Sequence, residues 1–531
     1  MSTVTTPAAS RNGDDSSADG HTRSEAGSRS HREVLQALSG LLLALLVAVL
    51  SSTIVANALP VIVRELHGTP NQYTWVITAT LLASTATTPL WGKLADLLDR
   101  KRLYQSAIVL FTVGSVLCGL SESMTALIVF RALQGVGMGG LQAMAQVIIA
   151  ALVSPRERGR YAGYTGAVLA VGQVAGPLAG GVIVDVGWLG WRWCFWIFVP
   201  VAVLAVIVIG RTLHLPSMRR RVRIDWAGAT LITAGVSLLL VWVSFAGDSF
   251  AWASISTAVY VGGGLLLLLL AVLVESRVAE PVIPLRLFRD RTTVLAVLAS
   301  VAIGTAMFGA TVFLGQYLQL SRGFSPTAAG LFTLPLVLSL FLSSTLSGRL
   351  ITRTGRWKSF LVTGTVLLLV GMALLGTVDH DTDLRLVGAY LVLVGIGIGC
   401  TMQNLVLAVQ NNVRYEDLGA ASAVVTFFRS MGGAVGVSVL GAVLATRVTD
   451  MVRSGLSTLA IPAGAAPSGG SLDPTHLPEP VRTVVRTAYG DAVATPFLIA
   501  AVVMVVALVS VLLIREVPLR TTVHSAESRH R

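Results

Sequence analysis

The sequence predicts an all-α polytopic membrane protein. Fourteen transmembrane helices form two pseudo-symmetric six-helix bundles with an inserted helix pair between them. Three observations carry that expectation. Of 531 residues, 54% are apolar and only 12% are charged, where a soluble chain carries about 25% charged residues. Too little polar surface remains to cover water-soluble cores of this size. The apolar residues also come in long runs, and a helix needs about 20 such residues to cross a bilayer. Finally, the glycines repeat. Gly135, Gly137 and Gly139 fall on Gly395, Gly397 and Gly399 at one constant offset, as Gly159, Gly172, Gly176 and Gly181 fall on Gly419, Gly432, Gly436 and Gly441.

Residues 1–33 are rich in Ser, Asp, Gly and Arg and cannot bury a core, so they read as a disordered cytoplasmic tail. The first apolar run starts too late and is too long for a signal peptide. Spans are expected at 36–63, 73–97, 103–121, 124–152, 158–186, 191–211, 225–246, 252–274, 293–319, 327–350, 359–377, 386–412, 418–446 and 492–514. The first six make an N-terminal bundle, 34–212. A basic linker and spans seven and eight occupy 213–291, the second bundle 292–514, and a cytoplasmic tail 515–531.

Charge placement fixes the orientation. With the N-terminus in the cytoplasm, 29 of the 39 Lys and Arg residues fall on cytoplasmic segments and eight on outer ones. The remaining two, Arg131 and Arg429, lie deep within spans, away from either end. One miscounted span would invert every later loop and erase this asymmetry. The net charge of +12 is thereby explained by the anionic inner leaflet, and a nucleic-acid partner becomes unnecessary. Arg219, Arg220, Arg221 and Arg223 place the linker on that leaflet. Residues 447–491 form the longest outer loop. The three cysteines lie far apart in apolar stretches and read as buried thiols.

Five stretches carry chemistry. The loop after the second span runs Gly92-Lys93-Leu94-Ala95-Asp96-Leu97-Leu98-Asp99-Arg100-Lys101. Gly92 permits close helix contact. Asp96 can accept hydrogen bonds at a helix N-terminus or pair with Arg100. In the fourth span, Arg131 precedes Gln134-Gly135-Val136-Gly137. It stands about 10 Å inside the span, and a buried Arg persists only with a partner or an aqueous cavity. Gln134 is one turn away on the same face. In the fifth span, Gly172, Gly176, Gly180 and Gly181 surround Pro177. The glycines admit a neighbouring backbone, and Pro177 leaves a carbonyl unpaired and kinks the helix. Trp191-Arg192-Trp193-Cys194-Phe195-Trp196 opens the sixth span as an aromatic belt. The first span contains Ser51-Ser52-Thr53-Ile54-Val55-Ala56-Asn57-Ala58-Leu59-Pro60.

Together these stretches resemble the major facilitator superfamily, specifically its fourteen-span drug:proton antiporter branch, over roughly residues 36–514. The resemblance implies a gating loop at Gly92, Asp96, Arg100 and Lys101. It implies proton coupling through Arg131 and an antiporter motif at Gly172, Gly176, Pro177, Gly180 and Gly181. Two departures stand out. Asp99 occupies a usual Gly position, and Ser51 stands where the family usually has an Asp, the natural proton carrier.

No Asp or Glu lies deep within an expected span; Asp185, Asp225, Glu275, Asp417 and Asp491 all sit at span ends. Proton coupling is therefore expected at Asp185 or Asp96, or on the substrate itself. With Arg131 and Arg429 as the deep charges, the cavity favours neutral, zwitterionic or anionic amphipathic molecules over simple cations. Asn57, Gln134, Gln142, Gln146, Gln173, Gln316, Tyr317, Gln319, Gln403, Asn404 and Gln410 are uncharged candidates for its wall, each of which can equally bond a neighbouring helix. Phe427 and Phe428 can contact a flat ligand or simply pack.

There is no phosphate-binding loop, metal cluster or nucleophile–base arrangement. The expectation is a non-enzymatic, cofactor-free exporter of drug-like or antibiotic molecules in a bacterial inner membrane, working as a monomer with protons, substrate and lipid as its partners. A dedicated exporter of one endogenous metabolite, or a membrane sensor on a transporter scaffold, stays open on these residues.

Overall fold

A computed structural model describes residues 31–520, apart from 69, 186–189, 214–224, 246–249, 251–253, 279–280 and 459–477. The N-terminal tail through residue 30, most of the basic linker, part of the long outer loop and the tail from 521 onward lie outside the described residues.

Among the described residues the chain is helical throughout its regular structure. The N-terminal half comprises α1 (His31–Glu65), α2 (Pro70–Leu97), α3 (Arg100–Gly119), α4 (Met124–Leu152), α5 (Pro155–Asp185), α6 (Trp193–Trp196) and α7 (Phe198–Thr212). The inserted pair is α8 (Trp226–Phe245) and α9 (Ile255–Glu275). The C-terminal half comprises α10 (Arg291–Gln316), α11 (Pro326–Phe332), α12 (Leu334–Thr354), α13 (Lys358–Leu375), α14 (Leu384–Asn412), α15 (Leu418–Thr458), α16 (Glu479–Ala492) and α17 (Ala494–Leu513).

The sequence explains the boundaries. Asp99, Ser123, Ser254, Asp290, Ser325 and Asp383 cap the helices that follow them, each accepting a bond from a backbone N–H of the first turn. Asp99 is thus an N-cap, which accounts for a carboxylate at a position where glycine was the expectation. Three rods are broken at Ile197, Thr333 and Val493, a few residues before Pro200, Pro335 and Pro496. A proline removes the N–H that would bond back across each break. Joined across these breaks, the helices make fourteen rods among the described residues.

Among the described residues, twelve of the rods are long and apolar enough to cross a membrane. Of the other two, α2 has the length but carries Thr, Pro and terminal charged residues, and several side chains of α5 lie outside the described residues. Large apolar side chains cover the outside: on α9, Ile255, Val259, Leu265, Leu266 and Leu269 are all exposed. This is a lipid-facing surface, since no soluble helix leaves such a stripe to water.

Each half has its own core. One is built on Leu38, Ile54, Phe111, Leu127 and Phe195, the other on Ala302, Phe313, Leu368, Val394 and Phe497. A third, smaller cluster joins Ile232, Val236 and Leu240 of α8 to Ala86 of α2 and Phe427 of α15. The inserted pair therefore packs on the seam between the halves. The 447–491 stretch departs from its expected looped form. Helix α15 continues to Thr458, and α16 is an amphipathic helix burying Val481, Val485 and Ala488. Scattered prolines and charges hid the 3.6-residue apolar repeat there.

The repeat recurs as contacts. Thr53 Oγ donates to Gly172 O at 3.1 Å, and Thr305 Oγ to Gly432 O at 2.9 Å. Gly135 and Gly139 abut α2 at Thr80 and Ser84, as Gly395 and Gly399 abut α12 at Leu336 and Leu340. Gly137 meets the Phe111 backbone of α3, and Gly397 the Leu368 backbone of α13.

Candidate functional site

Four of the bundle's rods meet at a buried polar network. Arg131 on α4 is 3% exposed. Its Nη1 donates to Gln134 Oε1 at 2.6 Å and its Nε to Val76 O of α2 at 3.3 Å. Gln134, fully buried, donates from Nε2 to Ser115 Oγ of α3 at 2.7 Å and to Ser51 Oγ of α1 at 3.2 Å. Thr80 of α2 returns a bond to Arg131 O at 3.2 Å. A charge this deep persists only when solvated by neighbours, and here the solvation is neutral: amide, hydroxyl and carbonyl. Gln134, expected on the cavity wall, is committed instead to joining Ser51 to Arg131.

At the end bearing the α2–α3, α4–α5, α12–α13 and α14–α15 turns, hereafter the basic end, the halves are bridged. Gly92 lies against Gly419 so closely that a Cβ would meet its carbonyl oxygen at 2.7 Å. That approach lets Asp96 accept from the backbone N–H of Gly419 and of Ala420, both at 2.8 Å. These are the free donors of α15's first turn, where the helix dipole favours an anion. Arg100 stands 3.7 Å from Asp96, donates to Ala95 O at 3.0 Å, and donates to Tyr415 Oη of the other half at 3.0 Å. Lys101 donates to Gly210 O at 2.7 Å, inside its own half.

A second bridge lies across the seam. Arg158 on α5 donates to Gln410 Oε1 of α14 at 2.9 Å, and to Ala150 O and Val153 O at the end of α4. Gln410 donates onward to Ser422 at 2.8 Å. In the sequence Arg158 stands at the start of the fifth expected span, among the cytoplasmic basic residues that set orientation. Its signal was faint: one Arg in a helix's first turn, read against a background of basic loops. Behind this bridge sits a cavity of about 20 Å³ lined by Gln146, Thr165, Gln403 and Asn404 with Arg158 and Gln410. That volume suits about one water molecule. The cavity thus brings Gln146 of one repeat together with Gln403 and Asn404 of the other.

The other expected residues are placed as follows. Gly172 of α5 packs on Val49 of α1, where a Cβ would meet Cγ1 at 2.5 Å, and Gly176 packs on Thr53. Gly180 is buried; Pro177 and Gly181 lie in the unbroken helix α5, their side-chain surroundings outside the described residues, as are those of Asp185 and Asn57. Gln142 and Gln316 are half-buried, and Gln173 and Gln319 exposed. Asn404 bonds back to Cys400 O of its own helix at 2.7 Å. Arg429 is buried and donates to Met402 O at 3.4 Å. Tyr317 belongs to the far end, donating to Asp379 O at 3.0 Å. Phe427 and Phe428 meet edge to face at 5.2 Å, and Phe427 packs into the inserted-pair cluster. Trp191 is buried and donates to Glu65 at 2.9 Å, whereas Trp193 is exposed as a belt residue. All three cysteines are free and buried.

Two six-helix bodies with separate cores, joined at one end by breakable polar contacts, define a secondary membrane transporter. The comparisons agree. The Major Facilitator Superfamily model matches residues 41–437, and the chain belongs to that superfamily. It is 41% identical, over 92% of its length and 70% of the relative's, to an uncharacterized MFS-type transporter of Mycobacterium tuberculosis (strain ATCC 25618 / H37Rv). It is 36% identical, over 82% of its length and 79% of the relative's, to the multidrug transporter protein MdtP of Bacillus subtilis (strain 168). With the efflux pump dotC of Dothistroma septosporum the identity is 34%, over 91% and 84% of the two chains. Among solved structures, the proton:xylose symporter XylE superposes with a TM-score of 0.58 at 13% identity, over 89% of this chain and 95% of that one. The human organic anion transporter MFSD10 gives 0.59 at 14%, over 88% and 99%. The protein is thus a multi-pass membrane transporter and not an enzyme.

Proposed function

We propose that the protein is a secondary active exporter of amphipathic, drug-like or antibiotic molecules, driven by proton antiport across a bacterial cytoplasmic membrane. Both termini lie in the cytoplasm, because the basic loops gather at one end of the bundle. The closed basic end then makes this the state sealed from the cytoplasm, and alternating access requires the Asp96 and Arg158 bridges to break. Relatives named as a multidrug transporter and as efflux pumps support export.

The observation that carries the substrate class is the Arg131–Gln134–Ser51 network. A positive charge is held there without a carboxylate, and Arg429 adds a second. The potential inside favours neutral, zwitterionic or anionic substrates and repels simple cations. Protons then travel through carboxylates nearer the helix ends, Asp96 and Asp185 among them, with Arg131 biasing the bundle. A single chain holds both halves, so a monomer suffices.

The test uses inside-out vesicles carrying a proton gradient read by a pH-sensitive acridine dye. Adding a neutral or anionic antibiotic should collapse the gradient, and Arg131→Ala should abolish the response. If monovalent cationic dyes work best, the substrate reading fails. If labelled substrate moves without any gradient response, antiport fails. Response to one compound alone marks a dedicated exporter.

A further inference from the structure

The inserted pair carries a second buried charge cluster, next to the basic-end bridge. Asp225 precedes α8 and is 8% exposed; Glu275 ends α9 and is 4% exposed; Lys93 on α2 is 5% exposed. Asp225 Oδ1 caps α8 by accepting from Gly228 N at 2.9 Å. Its other oxygen, Oδ2, is buried and has no hydrogen-bond partner among the described residues. Glu275 accepts from Val282 N at 2.9 Å and Ile283 N at 3.0 Å, so its carboxylate is held by two backbone donors. The two acids converge over Gly228. A Cβ placed there would touch Asp225 Oδ2 and would lie 2.8 Å from Glu275 Oε1. Glycine at 228 leaves room for both carboxylates to approach the same point.

An ionised pair in this position sets two buried like charges side by side and leaves Oδ2 without a donor, at a cost that one proton removes. One shared proton supplies the donor that Oδ2 lacks, between it and Glu275 Oε1, and leaves the Asp225–Glu275–Lys93 cluster neutral. We propose that Asp225 and Glu275 form a proton-binding site on the inserted pair, sharing one proton whose release accompanies opening of the basic end.

The surroundings supply the route and the coupling. Glu275 and Lys93 line a cavity of about 500 Å³ whose wall also holds Asp96, Arg286, Arg289, Arg414, Glu416 and Asp417. Arg286 and Arg414 are held by Asp417, at 2.7 and 3.3 Å, and Arg414 by Glu416. Lys93 and Asp96 are one turn apart on α2, so they share a face. Releasing the proton into the cavity leaves one more negative charge beside Asp96. That charge acts against Asp96's place at the N-terminus of α15 and favours separation of the halves. The coupling role rests on the antiport reading above; the proton site itself does not.

The test is infrared difference spectroscopy of the purified full-length protein across a pH titration, beside pH profiles of transport. A protonated-carboxyl C=O band should appear as pH falls. It should be lost in Asp225→Asn, in Glu275→Gln and in the double variant. Lys93→Gln keeps both acids and removes the compensating cation, so the band's midpoint should move upward. This variant decides the matter if the acid variants fail to fold. A band that survives the double variant, or a midpoint unmoved by Lys93→Gln, overturns the site. A band that behaves as stated in a protein lacking proton-driven transport keeps the site and removes the antiport reading. Transport with an unchanged pH profile in the double variant overturns the coupling role.

Discussion

Gln134 Nε2 lies 3.2 Å from Ser51 Oγ and, through its own oxygen, 2.6 Å from Arg131. One neutral amide thus spans the gap between a buried cation and the helix position where a carboxylate was the expectation. The network is closed by neutral groups around its one cation.

Ser51→Asp restores that charge next to Gln134. We expect export of monovalent cationic dyes to rise about tenfold over wild type, the worth of one charge-assisted contact. The check is dye efflux in cells, with membrane protein levels matched. No gain for any cation removes the claim that Ser51 sets charge preference.

Asp96→Asn weakens both bonds to Gly419 N and Ala420 N. Hydrogen bonds to a charged group contribute about 1.5–3 kcal/mol. The closed population should fall about tenfold or more relative to the open one. Spin labels on the exposed Arg102 and Arg353, one on each half, should show the longer distance gaining weight. An unchanged distance distribution would mean that other contacts hold the end shut.

Gly176→Ala places a methyl on Thr53, and Gly436→Ala one on Thr305, where a Cβ would meet Cγ2 at 2.6 Å. Overpacking of this kind costs about 1–3 kcal/mol. Both variants should lower the thermal unfolding midpoint in detergent by similar amounts, because the two positions are equivalents in the repeat. A fall in one alone would show that the halves are built alike but not loaded alike.

His380 Nδ1 lies 2.8 Å from Asp491 Oδ1 and ties the α13–α14 turn to α16. The hydrogen bond to Asp491 raises the imidazole pKa above its ordinary 6.5. The stabilisation is therefore fully present below pH 6.5 and is lost as pH rises through the raised value. The unfolding midpoint of wild type should exceed that of His380→Gln at pH 6, and the gap should close by about pH 9. A gap that widens with pH contradicts the assignment.

The fold was legible because its signals are long and redundant. Apolar run length and the basic asymmetry each report the same series of rods, and the glycine offset pairs positions that prove to make equivalent contacts, Gly172 with Thr53 and Gly432 with Thr305. The site was legible where chemistry is local. Arg131 and Gln134 are one turn apart, and Asp96 ends a helix. It was illegible where partners come from distant segments. Nothing near Arg158 names Gln410, 252 residues away. Nothing near Asp225 points to Glu275, because only the packing of α8 on α9 brings them over Gly228. The extension of α15 was missed for another reason: a helix continuing past the apolar band carries no hydropathy signal.

The bridge at the basic end also sets an energy scale. It rests on a handful of polar contacts, chiefly those of Asp96, Arg100 and Arg158. Each such bond to a charged group contributes about 1.5–3 kcal/mol. One elementary charge falling through 100 mV releases about 2.3 kcal/mol. Holding strength and membrane voltage are thus commensurate. A closure several times stronger would stall the cycle, and one much weaker would leak ions through an idle protein. On the alternating-access reading proposed above, swapping these few side chains is expected to change the rate of turnover while leaving intact the helices that give the molecule its shape.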